Sequence, residues 1–285
     1  MSVAEDSFER TIEILCALEG KKKARIVLGI TGAPGSGKSL LTGRLVSEFR
    51  ARYPERMVGI IAVDPSSPFS GGAILGDRVR MMEHANDPKV FIRSLATHGQ
   101  VGGVTEGTRA IVAIMGALGC DVVLVETVGV GQMEFAVRDV ADAVAIILAP
   151  GQGDTIQFLK AGLMEIGDLF VVNKSDHPDA AQFHAQLVHS LYSHYSERRP
   201  VLQTSARDNT GIGNFVDVIE GMHAKNFEQW KALRQERLRG AIKKAVLFHA
   251  EKRLKSAFSE LVVSEVLSGR SSVSKAADEL IYSIP

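Results

Sequence analysis

The sequence predicts an α/β fold, a mostly parallel sheet with helices on both faces, followed by a C-terminal helical arm. Three observations predict it. Short and almost wholly apolar runs at 26–31, 57–63 and 121–126 alternate with helix-forming stretches, and strands buried on both faces lose the in–out alternation of half-exposed ones. The glycine- and proline-rich segments follow the carboxyl ends of those strands, where open parallel sheets bind their ligands. Beyond residue 225 the strand patterns stop and helix formers take over. The expected organisation is an N-terminal helical extension over 1–23, an α/β domain over 24–225 and a helical arm over 226–285.

Composition narrows the classes. The 285 residues carry 33 lysines and arginines against 33 aspartates and glutamates, so no global field draws the chain to nucleic acid or anionic lipid. Neither partner is expected. Apolar content of 45% and charged content of 23% are those of an ordinary globule with ample core. No apolar run reaches the roughly eighteen residues of a membrane span. Cys16 and Cys120 make no disulfide or metal framework. The acidic start, Met1–Asp6, lacks a hydrophobic signal core. A cytoplasmic setting is the expectation.

In chain order, apolar residues between 5 and 19 fall at helical spacing, and three lysines at 21–23 separate that helix from the first strand. The strand runs into Gly32-Ala33-Pro34-Gly35-Ser36-Gly37-Lys38-Ser39, which fills every fixed position of G-x-x-x-x-G-K-[ST], and a helix follows from Leu40 to about Arg50. Strand, glycine loop and helix are the context of the P-loop of nucleoside triphosphate-binding domains. Glycines let successive backbone N–H groups turn inward around phosphate oxygens. Lys38 is placed to neutralise the β- and γ-phosphates, and the Ser39 hydroxyl to sit on Mg²⁺.

A second strand over 57–63 ends at Asp64 and a turn-rich stretch to Gly72, before a helix over 73–84 that carries Asp77. A short strand at 90–93, a flexible loop at 99–103, a helix over 105–118 and a buried strand over 121–126 come next. Strands at 144–148 and 169–172 lead to Pro150–Asp154 and to Asn173-Lys174-Ser175-Asp176. A helix over 180–195 and a last strand at 201–202 end at Thr204-Ser205-Ala206. His184, His189 and His194 step by five residues, about 140° each on a helix, and so do not share a metal-binding face. Residues 226–256 hold nine lysines and arginines against three glutamates, read as a solvated face. Opposite it Phe227, Trp230, Leu238, Ile242, Val246 and Leu254 form an interrupted apolar stripe. Further helices are expected over 257–268 and 272–283.

Asp176 supplies the base chemistry. A carboxylate accepts two hydrogen bonds from the N1–H and exocyclic amine of guanine, a pair adenine lacks on that edge, and a wrong base would leave it unpaired at large cost. Asn173 and Lys174 belong to the same motif. Three acidic residues, Asp64, Asp77 and Glu126, supply the hard oxygen ligands that Mg²⁺ requires near Ser39.

With these motifs assembled, the chain resembles the metallochaperone branch of P-loop GTPases, in which a glutamate stands where other GTPases have the aspartate of D-x-x-G. Glu126-Thr-Val-Gly129 shows that substitution. Within the branch it is similar to the MeaB/ArgK type, the GTPase chaperones of adenosylcobalamin-dependent acyl-CoA mutases such as methylmalonyl-CoA mutase. The resemblance rests on residues 62–67, 71–77, 102–103, 126–132, 150–154, 160–165 and 173–176. It implies GTP/GDP contacts from Gly32–Leu40, Asn173, Lys174, Asp176, Ser205, Ala206 and Arg207, metal roles for Ser39, Asp64, Asp77 and Glu126, and catalytic roles for Lys38, Asp64 and Glu126. Loops near 64–80, 127–135 and 150–165 would be nucleotide switches, and residues 226–285 a homodimerisation arm. Gln132, Arg78, Arg93, Arg109 and Arg138 are candidates for positioning the attacking water. Relatives in the branch that mature nickel or handle zinc carry His- or Cys-rich tracts, and none is present. A small-molecule kinase, a transport-system ATPase and a binding module with negligible turnover are the remaining alternatives. Against the kinase stand Asn173–Asp176 and the lack of an arginine-rich lid insertion.

Overall fold

The computed structural model describes residues 8–18, 20–64, 82–84, 86–96, 103–127, 133–151, 162–194, 198–257, 260–275 and 277. Its elements are α1 (Phe8–Ala17), β1 (Ile26–Gly32), α2 (Lys38–Arg52), β2 (Met57–Asp64), β3 (Val90–Ala96), α3 (Gly103–Ala117), β4 (Cys120–Thr127), β5 (Ala143–Leu148), β6 (Leu169–Val172), α4 (Ala180–His194), β7 (Val201–Gln203), α5 (Ile212–Ala257) and α6 (Glu260–Leu267). Seven strands form one sheet in the order β3-β2-β4-β1-β5-β6-β7, and every pairing is parallel. The expected α/β P-loop architecture is the one observed.

β1 shows how the sequence builds it. All seven of its residues are buried. Ile26, Leu28 and Ile30 enter one core with Leu41, Leu45 and Phe49 of α2 and Phe215, Ile219 and Trp230 of α5. Val27 enters the opposite core with Ile111 and Met115 of α3 and Leu187 and Leu191 of α4. Alternate side chains thus feed two cores. Cys120 is buried in the second, where desolvation pushes its thiol up to about 11.

Register positions the site. Ile30 of β1 lies beside Glu126 of β4, and Gly32 lies beside Ile147 of β5. The carboxyl ends of β1, β4, β5 and β6 therefore converge at one edge of the sheet.

The stretch after 225 is helical as expected. Asn226, at φ −107° and ψ 15°, is the kink at which α5 divides into two helical stretches. The earlier stretch was not expected: Ile212, Phe215, Val216 and Ile219 repeat at i, i+3, i+4, i+7 and bury that stripe. The apolar stripe of the arm is not one face. Trp230 is 7% exposed, whereas Ile242 is 54% exposed; twelve helical residues turn them about 120° apart. Contacts divide the chain into two compact units, Met1–Lys231 and Ala232–Pro285. Of the helix expected over 73–84, only a single turn at Met82–His84 falls within the described residues. Most of the one expected over 272–283 lies outside them.

Candidate functional site

The P-loop is shaped by three glycines of positive φ, Gly32 at 143°, Gly35 at 74° and Gly37 at 87°. Space as well as dihedral requires glycine at two of them. A Cβ on Gly32 would stand 2.0 Å from the Ile147 carbonyl oxygen, and one on Gly37 would stand 2.6 Å from Asn173 Nδ2. Gly37 caps α2 without any side-chain bond, and a helix N-terminus of this kind suits a phosphate. Lys38 is buried, and its Nζ donates to the carbonyls of Gly32 at 2.8 Å and Ala33 at 2.9 Å. That folds the ammonium over the loop it serves. Pro34, Gly35 and Leu40 are exposed on the outside of this turn.

Ser39 joins the loop to β4. Its Oγ donates to Glu126 Oε1 at 2.7 Å, and Glu126 is only 4% exposed. One residue on, the buried Thr127 hydroxyl donates to the Thr31 hydroxyl at 2.8 Å, so the carboxyl end of β4 is tied by side chains to both α2 and β1. Asp64 ends β2, one residue past the Val63–Thr127 pair. Asp77, Arg78 and Gln132 lie outside the described residues.

The neighbouring loop after β6 is held by Asn173. Its Nδ2 donates to the Ser36 carbonyl at 2.8 Å, while Oδ1 accepts from Thr204 Oγ1 at 3.1 Å and from the Ala206 N–H at 3.2 Å. The residue thus clamps the P-loop to the segment after β7. Lys174 takes a left-handed φ of 57°, uncommon for a non-glycine residue. Asp176, beyond that bend, accepts from Ser205 Oγ at 2.7 Å and pairs with Arg207 Nη2 at 3.0 Å. The Ser205 hydrogen bond, aided by the Arg207 charge, holds the Asp176 carboxyl below the usual range.

The candidate arginines separate. Arg138 pairs with Asp168, whose carboxylate also accepts the Val144 N–H, so this side chain braces the entry of β5. Arg109 Nη2 donates to the Asp139 carbonyl at 3.3 Å. Arg93 lies within β3, in register with Ile61. Sequence reasoning missed Arg44 of α2, whose Nε donates to the Ala206 carbonyl at 3.1 Å while Nη1 stands 3.8 Å from Glu83. It also missed Asp208. No spacing marks Arg44, but Asp208 directly follows Ser205-Ala206-Arg207 and was open to notice.

A P-loop lysine, a buried serine–glutamate pair and the Asp176 carboxylate lie on one sheet edge. The profile of the family "Methylmalonyl Co-A mutase-associated GTPase MeaB" matches residues 3–261. A relative from Pyrococcus abyssi is 43% identical over 243 residues, covering 83% of this chain and 74% of its own. GTPase ArgK of Escherichia coli is 41% identical over 202 residues, 67% of this chain and 60% of its own. Among solved structures, the crystal structure of an LAO/AO transport system kinase superposes with a TM-score of 0.62 at 26% identity, covering 95% of this chain and 85% of that one. The chain belongs to the methylmalonyl-CoA mutase-associated GTPase family MeaB and is a GTP hydrolase.

Proposed function

We propose that this GTPase is a nucleotide-driven chaperone that assembles, protects or reactivates an adenosylcobalamin-dependent acyl-CoA mutase of the methylmalonyl-CoA mutase type, gating cofactor loading by nucleotide state. The observation that carries the reading is the 2.7 Å bond from Ser39 to Glu126. A residue of the P-loop is bonded to the carboxylate at whose strand end the 127–135 segment begins. Any change at the γ-phosphate is thereby felt where a partner-facing switch would start. Family membership supports the mutase as that partner.

In this reading Gly32–Ser39 cradle the phosphates, Lys38 neutralises the β/γ pair and Asp176 reads guanine. Asn173 keeps the two halves in register, and Lys174, Ser205, Ala206 and Arg207 border the base. The Ser39 hydroxyl and the Glu126 carboxylate, buried and bonded to each other, form a hard oxygen donor set that fits Mg²⁺, with Asp64 and Asp77 as further candidates. The ion would supply charge neutralisation between the β- and γ-phosphate oxygens. Hydrolysis by the chain alone is slow in this reading, and a partner would complete the site. The protein is cytoplasmic, and residues 226–285 serve as a homodimerisation arm.

The test is a titration of the full chain with its cognate mutase, once with GDP and once with a non-hydrolysable GTP analogue. Mutase affinity is expected to differ between the two states by about 1–3 kcal/mol, with reciprocal change in nucleotide affinity. Equal affinities, with unchanged GTPase rate and cobalamin loading, would leave a GTPase without this role.

A further inference from the structure

Two carboxylates share one arginine at the base-recognition end. Arg207 Nε lies 3.0 Å from Asp208 Oδ1, and Nη2 lies 3.3 Å from Asp208 Oδ2. The same Nη2 lies 3.0 Å from Asp176 Oδ2. Ser205 is shared as well, its Oγ 2.7 Å from Asp176 Oδ1 and 3.1 Å from Asp208 Oδ2, while the Asp208 N–H donates to it at 3.2 Å. One hydroxyl hydrogen serves one carboxylate at a time. The cluster therefore holds a divided set of donors that can redistribute between its two acids.

A guanidinium and the edge of guanine are chemically alike, since both present adjacent, coplanar N–H groups to a carboxylate. Asp176 has its Oδ1 on Ser205 and its Oδ2 on Arg207, so a guanine that uses both oxygens meets Arg207 first. We propose that Arg207 stands in for guanine on Asp176, and that base entry hands it over wholly to Asp208. This rests on the reading of Asp176 as the guanine acceptor. Arg207 then acts as a gate on base entry: a base that uses both oxygens displaces it fully and bears that cost, and a base offering one donor or none displaces it only in part. Asp208 is the receiving partner that makes the exchange cheap. Arg207 is mobile enough to exchange, its side chain being 72% exposed, and an exposed pair of this kind opposes guanine only modestly.

The experiment measures binding of GDP, IDP (whose base lacks the 2-amino donor) and ADP to the full chain and its variants, by calorimetry and stopped-flow. Arg207→Ala is expected to tighten GDP binding about two- to fivefold, the equilibrium equivalent of one exposed ion pair. IDP, which offers one donor and leaves more of the Arg207–Asp176 pair in place, should gain less than GDP, widening the preference between them. Asp208→Asn should weaken GDP binding in the native background and have no effect alongside Arg207→Ala. Unchanged or weaker GDP binding by Arg207→Ala would overturn the gate, as would an Asp208→Asn effect that survives removal of Arg207. ADP bound as tightly as GDP by the native chain would instead remove the guanine reading beneath it.

Discussion

The Asn173 side chain bonds three groups at once, the Ser36 carbonyl, the Thr204 hydroxyl and the Ala206 N–H. Asn173→Ala strands all three in a buried site, where each orphan costs about 1–3 kcal/mol before relaxation. A loss of about 2–4 kcal/mol is expected in urea denaturation, with weakened nucleotide binding because the two loops lose their common tie. Thr42 offers the opposite case. It is fully buried in α2, and its hydroxyl has no hydrogen-bond partner among the described residues. Thr42→Val keeps the shape and removes the orphan, so a gain of about 1 kcal/mol is expected in the same measurement. Legibility differs among these residues for a physical reason. Gly32, Gly37, Lys38, Ser39 and Asp176 were readable because they stand at fixed spacing in two short local motifs. The clamp of Asn173 on Ser36 joins residues 137 apart in sequence, and Arg44 meets Ala206 across 162. Such links come from closure of the sheet, which no local pattern records.

At the scale of elements, the strands were the most legible part. Burial on both faces makes β1, β2 and β4 near-continuous apolar runs, and turn residues mark their ends. α5 was less so. Its stretch beyond the kink at Asn226 was read as helix, whereas the core stripe of its first turns follows the loop at Thr210 so closely that it was not. Trp230 anchors this helix. It is 7% exposed within the same core as Phe215 and Phe49, and His223 meets its ring edge-on at 5.7 Å. Trp230→Ala is expected to cost about 3–5 kcal/mol, read as a lower urea midpoint. A cost below 1 kcal/mol would mean that α5 is held by its earlier turns alone. Phe227, 51% exposed on the same helix, should tolerate alanine by comparison.

For the whole molecule the open matter is how the second unit covers its apolar surface. Leu238, Ile242 and Val246 follow one another at i, i+4 spacing and are 37%, 54% and 61% exposed, which places them on one strip of helix. A contiguous exposed strip of this kind favours association, and two-fold pairing is its commonest form. Light scattering at micromolar concentration is expected to give a dimer for the native chain and a monomer for Ile242→Glu combined with Val246→Glu. A native monomer would send the strip to some other surface. The placement of Asp176 carries a consequence that reaches beyond the molecule. Its carboxylate bonds Ser205 and Arg207, whereas the clamp between the loops belongs wholly to Asn173. Base preference can therefore be rewritten without loosening the scaffold. Asp176→Asn turns an acceptor into a donor that suits the C2 carbonyl of xanthine, and calorimetry should show XDP preferred over GDP. In a crude extract crowded with other GTPases, xanthosine triphosphate would then become a private key, turning this one enzyme on and leaving its neighbours idle.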